Sequence, residues 1–174
     1  FSMFDMCEKQ NGVLVPTSHP TAQSDYLAFA RKLKQIGLDN GIVCNQGHAP
    51  FPSIPKSIDW LKRAIECVAE AGGEICIVHP MNDGTPEENA EMYFELLPFA
   101  KEHNVKIATE NMWNWYENAE HSSFAACATP ESFNAHLDAV NDDYFVACLD
   151  IGHAEMKGSD TSAPEMIRAL GKRL

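Results

Sequence analysis

The chain is short of positive charge, of long apolar runs, of paired cysteines and of any glycine-rich phosphate loop. Lys and Arg number 13 against 25 Asp and Glu, a formal net charge of −12. Such a field repels phosphate and offers no basic stripe to track a backbone, so nucleic acid is excluded as a partner. No apolar run approaches the ~20 residues of a membrane span, which excludes a membrane helix. The six cysteines, at 7, 44, 67, 76, 127 and 148, include no CxxC pair. Cys44, Cys76 and Cys148 fall in strand-like apolar runs, where a free thiol acts as a small hydrophobe. The expectation is six thiols, no disulfide framework and a reducing, cytoplasmic compartment. No secretory signal is visible, and the sequence opens on Phe1. The natural N-terminus is therefore expected upstream of it.

What is present is a globular composition. Of 174 residues 45% are hydrophobic, enough for one domain with a real core. Phe1 to Cys7 reads as the tail of a strand, followed by a polar connection punctuated by Gly12 and Pro16. Residues 22 to 36 show helical spacing, with Gly37 as a stop. A strand is expected over Gly41 to Cys44, delivering Asn45, Gln46 and His48. Ser57 caps a helix with Ile58, Leu61, Ile65 and Val68 on one face. Ile75 to Val78 is a strand delivering His79. Thr85-Pro86-Glu87-Glu88 is a complete helix start, with N-cap, N1 proline and capping-box glutamate. Val105 to Thr109 is a strand delivering Glu110-Asn111. A long loop with Trp113, Trp115, Tyr116 and Phe124 leads to a helix opened by Thr129-Pro130. The continuous apolar run Tyr144 to Leu149 suits a strand buried on both faces, and a helix near Pro164 to Leu170 closes the chain.

One positional feature repeats. His48, His79, Glu110 and Asp150 each stand at or just past a strand's C-terminal end, at separations of 31, 31 and 40 residues. That is the size of a βα unit. Ligand groups in parallel α/β folds collect outside the carboxyl ends of strands. A carboxylate such as Asp150 at the end of a buried strand needs a metal, a substrate or a cation beside it. His153, three residues on across Gly152, can share its cavity, and both are ordinary ligand types for a divalent metal. The plainer alternative has Asp150 capping the next loop and His153 on the surface. Without a glycine-rich loop after an early strand, a (β/α) barrel is expected rather than a doubly wound sheet.

The elements Leu149-Asp150-Ile151-Gly152-His153-Ala154, Ala108-Thr109-Glu110-Asn111, Val78-His79-Pro80 and His48-Ala49-Pro50-Phe51 resemble the xylose isomerase-like TIM-barrel superfamily. It holds sugar phosphate isomerases and epimerases, ketose 3-epimerases, inosose dehydratases and endonuclease IV-type enzymes. The resemblance implies an α/β fold, a (β/α)8 TIM barrel, with residues 1–174 part of a single such domain. A full barrel takes about 250 residues, so the sequence is expected to be incomplete, holding about strands 2 to 6 with the second as a tail.

The resemblance also implies chemistry. In the sugar-converting members Glu110 and Asp150 match the first two of four metal ligands, and the other two come from later strands. His153 matches a residue that touches substrate beside the metal. In the endonuclease-like members His153, His48 and His79 are themselves ligands. The expected cofactor is a divalent ion (Mn, Mg, Co or Zn) and the expected partner a small sugar, with a homo-oligomer left open. The expected reaction is isomerisation or epimerisation of a sugar or sugar phosphate through a metal-stabilised enediolate. Glu110 would serve as ligand and base, with His153 catalytic beside it. His48, His79, Asn111, Trp113, Trp115 and His153 would bind substrate. Aromatic faces at 113, 115 and 116 suit the C–H face of a sugar, or simply pack the loop on the barrel. The alternatives are an endonuclease IV-like zinc phosphodiesterase, against which the −12 charge argues, and a dehydratase or non-catalytic barrel.

Overall fold

A computed structural model describes residues 1–115 and 120–174. The strands are β1 (Cys7–Gln10), β2 (Val13–Pro16), β3 (Gln46–His48), β4 (Ile75–Ile77), β5 (Lys106–Glu110), β6 (Asn114–Trp115), β7 (Ser122–Ser123) and β8 (Phe145–Cys148). The helices are α1 (Tyr26–Asp39), α2 (Ile58–Ala71), α3 (Pro86–Glu102), α4 (Pro130–Val140), α5 (Ile151–Ala154) and α6 (Ala163–Leu170). Four strands form one wholly parallel sheet in the order β3-β4-β5-β8. Helices α2, α3 and α4 are the crossovers between them, so the sheet grows one strand–helix unit at a time. The N-terminal tail lies along β3: Ser2 bridges His48 in parallel, and His48 N–H donates to the Phe1 carbonyl at 2.8 Å.

The apolar faces of the crossover helices meet the sheet. Leu61, Ile65 and Val68 of α2, Leu96 of α3 and Phe133 of α4 are fully buried, together with Ile107 of β5. Tyr93 is buried too, and its hydroxyl meets the Val78 carbonyl at 3.0 Å and Thr109 Oγ1 at 2.9 Å. A phenol can be buried only with such partners. The α3 start is the capping box its sequence announces: Glu88 N–H donates to Thr85 Oγ1 at 3.2 Å, and Thr85 N–H to Glu88 Oε2 at 2.8 Å. All six cysteines are free thiols. Among the described residues no helix is long and apolar enough to cross a membrane.

Four expectations are corrected. The polar connection after Cys7 is a hairpin, β1–β2, turning at Asn11 and Gly12, both at positive φ (50° and 82°). This is the geometry an Asn-Gly pair favours in a two-residue hairpin loop. Helix α1 starts later than residue 22 and runs through Gly37 to Asp39. Gly41, at φ 69°, is the left-handed residue that follows it. Gly37 instead admits a close approach, since a Cβ there would lie 2.8 Å from the Ile42 carbonyl oxygen. The third strand is Gln46–His48 rather than 41–44. Ile42 and Val43 are 64% and 74% exposed, because the chain there is still returning from α1 and the first pairing, Gln46 with Ile75, comes later. The run into β8 is not buried on both faces. Phe145 and Ala147 are buried while Val146 and Cys148 are half-buried, since β8 pairs only with β5 among the described residues.

Candidate functional site

The parallel sheet puts the five titratable candidates at one end. His48 is the last residue of β3 and Glu110 the last of β5. His79 stands two residues past β4, and Asp150 two past β8 as the N-cap of α5, where its Oδ1 accepts from His153 N–H at 3.0 Å. The loop-capping role and the site role therefore coexist in Asp150. Two trios of ligand atoms share Glu110: His48–His79–Glu110 and Glu110–Asp150–His153, each with its atoms within 4.8 Å of one another.

The first trio is held at hydrogen-bond distances. His48 Nε2 lies 2.9 Å from His79 Nε2, and His79 Nε2 lies 3.1 Å from Glu110 Oε2. His48 Nε2 is 3.5 Å from the same carboxylate oxygen. His48 Nδ1 donates to the Ala49 carbonyl at 2.7 Å, so its Nε2 holds the lone pair in the neutral ring. Burial would raise the Glu110 pKa, but hydrogen bonds from His48 and His79 and their charge outweigh it and hold the carboxyl at about 2. Burial likewise disfavours the charged form of His48, yet the bond to Glu110, the Ala49 contact and the carboxylate charge win and raise its pKa. The trio is a shared-proton cluster, anionic carboxylate against imidazole.

The second trio is more open. His153 Nδ1 is 3.6 Å from Glu110 Oε1, and His153 Nε2 is 3.7 Å from Asp150 Oδ2. His153 Nδ1 donates to the Asn111 carbonyl at 2.8 Å, which fixes Nε2 as the lone-pair nitrogen. Donation of the far ring nitrogen to a backbone carbonyl is what orients a ligating histidine. Ligands of one tetrahedral ion at ~2.1 Å lie about 3.4 Å apart. The 2.9 and 3.1 Å contacts of the first trio are shorter than that, whereas in the second the lone-pair nitrogen, His153 Nε2, stands 3.7 Å from Asp150 Oδ2. Carboxylate and imidazole donors suit Mn, Co and Zn.

Asn111 is spent on structure. Its side-chain amide donates to the Asp150 carbonyl at 2.9 Å, and its Oδ1 accepts from Asp150 N–H at 2.7 Å. It is 1% exposed, and it extends the β5–β8 ladder by one side-chain rung. Trp113 stands 6.2 Å from the His153 ring, ring to ring. Trp115 is 57% exposed and meets Trp113 edge-on at 5.9 Å. Tyr116 lies outside the described residues. Cys148, just ahead of Asp150, has its thiol pushed up to about 12 by burial and then by Glu110 and Asp150, so it supplies no thiolate near neutrality.

Two aromatic residues join the site without having been singled out. Phe4 and Phe51 stack at 5.7 Å, nearly coplanar in orientation, beside both imidazoles: Phe4 is 5.6 Å from His48 and Phe51 is 5.7 Å from His79. Phe4 opens a 3-10 turn, Phe4–Met6, where no periodicity marks it. Phe51 closes the His48-Ala49-Pro50-Phe51 element of the resemblance, which gave it no site role. Asn82 was also unmarked. Its Nδ2 donates to the Trp113 carbonyl at 3.1 Å and to Asn114 Oδ1 at 3.0 Å, tying the loop after β4 to the loop after β5.

Compared with known proteins, the chain matches the family model described as xylose isomerase-like TIM barrel over residues 1–174. No curated protein matches it. Among solved structures it is similar to a D-tagatose 3-epimerase-like protein, at 21% identity and TM-score 0.68, covering 87% of this chain and 60% of that one. It is similar to 3-keto-D-glucoside 4-epimerase from E. coli, at 11% identity and TM-score 0.67, covering 85% and 62%. A D-psicose 3-epimerase crystallised in the presence of D-fructose gives 18% identity and TM-score 0.67, covering 90% and 58%. At such identities the likeness is one of fold. The chain spans about six-tenths of the length of these structures.

Proposed function

This chain belongs to the xylose isomerase-like TIM barrel family, and we propose that it is the part of a single barrel domain that begins the proton transfer of a sugar isomerase or epimerase. The observation that carries the proposal is the meeting of Glu110, Asp150 and His153 at the ends of two adjacent parallel strands, with Asn111 fixing their spacing. The epimerase names of the similar structures support the substrate class.

Glu110 and Asp150 would hold one divalent ion, which supplies Lewis acidity for a substrate carbonyl. The roles of the side chains follow from their free atoms. Glu110 Oε2 is engaged by the histidine pair, so Oε1, toward His153, is the oxygen turned to a substrate. A carboxyl held at about 2 is a weak base while both histidines donate to it. Release of one of those contacts on substrate binding would restore basicity as the carbon-bound proton comes off. That proton passes to Glu110, the C–H electron pair becomes the C=C bond of the enediolate, and the carbonyl π pair moves onto its oxygen. Return of a proton to the other face gives the epimer, and to the neighbouring carbon the isomer. His153 Nε2, a lone-pair nitrogen with its ring locked by Asn111, is placed to take a hydroxyl proton of the substrate. Trp113 walls the site beside it and excludes water.

The direct test is exchange of a carbon-bound proton with deuterated water, followed by NMR over ketoses and ketose phosphates with the full chain. A second reading, a multi-ion phosphodiesterase, is favoured by one observation: His48, His79 and Glu110 already converge. Their hydrogen-bond spacing and the net charge of −12 weigh against it. Cleavage of a phosphodiester with two or more bound ions would establish it instead.

A further inference from the structure

Helices α3 and α4 bury a polar pair that the chemistry above does not use. Asn89 and His136 are 1% and 3% exposed, and Asn89 Nδ2 lies 3.3 Å from His136 Nε2. Their donor and acceptor roles are fixed. His136 Nδ1 lies 2.7 Å from the Ser132 carbonyl, which can only accept, so Nδ1 carries the proton and Nε2 the lone pair. Asn89 Oδ1 accepts from Met81 N–H at 2.7 Å. The amide nitrogen then turns its two hydrogens toward three acceptors: His136 Nε2, the Met81 carbonyl and the Gly84 carbonyl, the last two at 3.2 Å each. Gly84 is part of the fit, because a Cβ there would stand 2.8 Å from Asn89 Nδ2.

The loop held in this way runs from Met81 to Gly84, directly after His79-Pro80. It forms one wall of a cavity of about 700 Å³ beside the strand-end site, which Phe51, Pro80 and Asn114 also line. It also carries Asn82, whose Nδ2 donates to the Trp113 carbonyl and whose own carbonyl accepts from Ala126 N–H at 2.8 Å. Hydrogen bonds, buried between Asn89 and His136 and part-buried beyond, thus run from α4 through Asn89 to the loop, and from the loop to the backbone of the tryptophan facing His153. Such a chain transmits small displacements because losing the bond between the buried Asn89 and His136 would leave polar groups unpaired.

We infer that Asn89, braced by His136, is a positioning residue that sets the 81–84 loop and, through Asn82, the placement of Trp113 at the site. The spatial half of this stands on hydrogen bonds alone; its kinetic half rests on the sugar proton transfer proposed above. The test uses the full chain labelled with 5-fluorotryptophan, with the Trp113 line identified by Trp113→Phe. Asn89→Leu and His136→Leu should shift or broaden that line. They should also lower kcat/KM about tenfold, the measure of one buried hydrogen bond, mainly through KM. His136→Gln supplies a side-chain amide oxygen in place of the Nε2 lone pair for Asn89 to donate to, and should return the line toward its wild-type position. Leu137→Ala, which opens a cavity in the same helix, serves as the control for general loosening. The inference is overturned if Asn89→Leu leaves the Trp113 line in place, or if Leu137→Ala moves it as far at an equal loss of melting temperature. The fluorine line decides the point whether or not a sugar is turned over, so failure of the proposed reaction would be seen separately.

Discussion

His48 and His79 meet nitrogen to nitrogen, Nε2 to Nε2 at 2.9 Å, with their rings at 90°. Two lone pairs cannot face each other at that distance, so a proton lies between them or between them and Glu110. The strand ends therefore hold two kinds of bonding around one carboxylate. A proton-bound side faces β3 and β4, and a more open side faces β8.

That division predicts the number of ions. Calorimetric titration of the metal-stripped full chain with Mn, Co or Zn should saturate at one ion per chain. Asp150→Asn should weaken binding, whereas His48→Ala should leave the count at one. At a free ion concentration 100 times the Kd, the melting transition should gain about 2.7 kcal/mol. Two or more ions, with loss of one in His48→Ala, would transfer the His48–His79 pair to the ligand set.

The same division predicts a pH window in chelator-treated protein. The folded pKa of Glu110 is lowered from 4.5 to about 2, so its contribution to stability is complete above about 4.5 and is lost as pH falls toward 2. The folded pKa of His48 is raised from 6.5, so its contribution is complete below about 6.5 and is lost as pH rises through the folded value. The stability difference between wild type and Glu110→Gln, from urea unfolding, should peak between about pH 4.5 and 6.5. A difference flat from about pH 3 to about pH 9 would contradict the cluster.

Asn111 should behave as a positioning residue. Asn111→Leu removes both bonds to the Asp150 backbone in a site that is 1% exposed. Leaving buried backbone groups unpaired costs about 1–3 kcal/mol. Metal affinity should fall roughly 10- to 100-fold, the range seen when groups orienting a ligand are lost, and KM at saturating metal should change less. A rise in KM with metal affinity intact would return Asn111 to the substrate-binding role the resemblance implied.

Much of this arrangement is legible in the sequence because it depends on local rules. The Thr85-Pro86 and Thr129-Pro130 starts, the buried stripe of α2 and the delivery of a polar residue at each strand end follow from capping and periodicity. What was not legible depends on partners distant in the chain. Ile42 and Val43 have strand composition, but the sheet begins at Gln46 because Ile75 sits opposite that residue. Gly37 looks like a helix stop and is instead the gap through which Ile42 approaches. Asn11-Gly12 carries a local hairpin signal. The bonds of Asn111 reach across 39 residues to Asp150, and the stacking of Phe4 on Phe51 joins the N-terminal 3-10 turn to the loop after β3. No spacing rule encodes either.

The central claim is that Glu110 takes a carbon-bound sugar proton. The measurement is deuterium incorporation from solvent into a ketose panel by the metal-saturated full chain, wild type against Glu110→Gln. The substitution keeps the shape and removes the charge and most of the basicity. General-base catalysis contributes on the order of 10²–10⁴-fold, so exchange should fall by that much in Glu110→Gln with metal at saturation. Asp150→Asn should be rescued by excess metal more fully than Glu110→Gln. Exchange at the wild-type rate in metal-saturated Glu110→Gln would contradict the account and leave Glu110 a ligand at most.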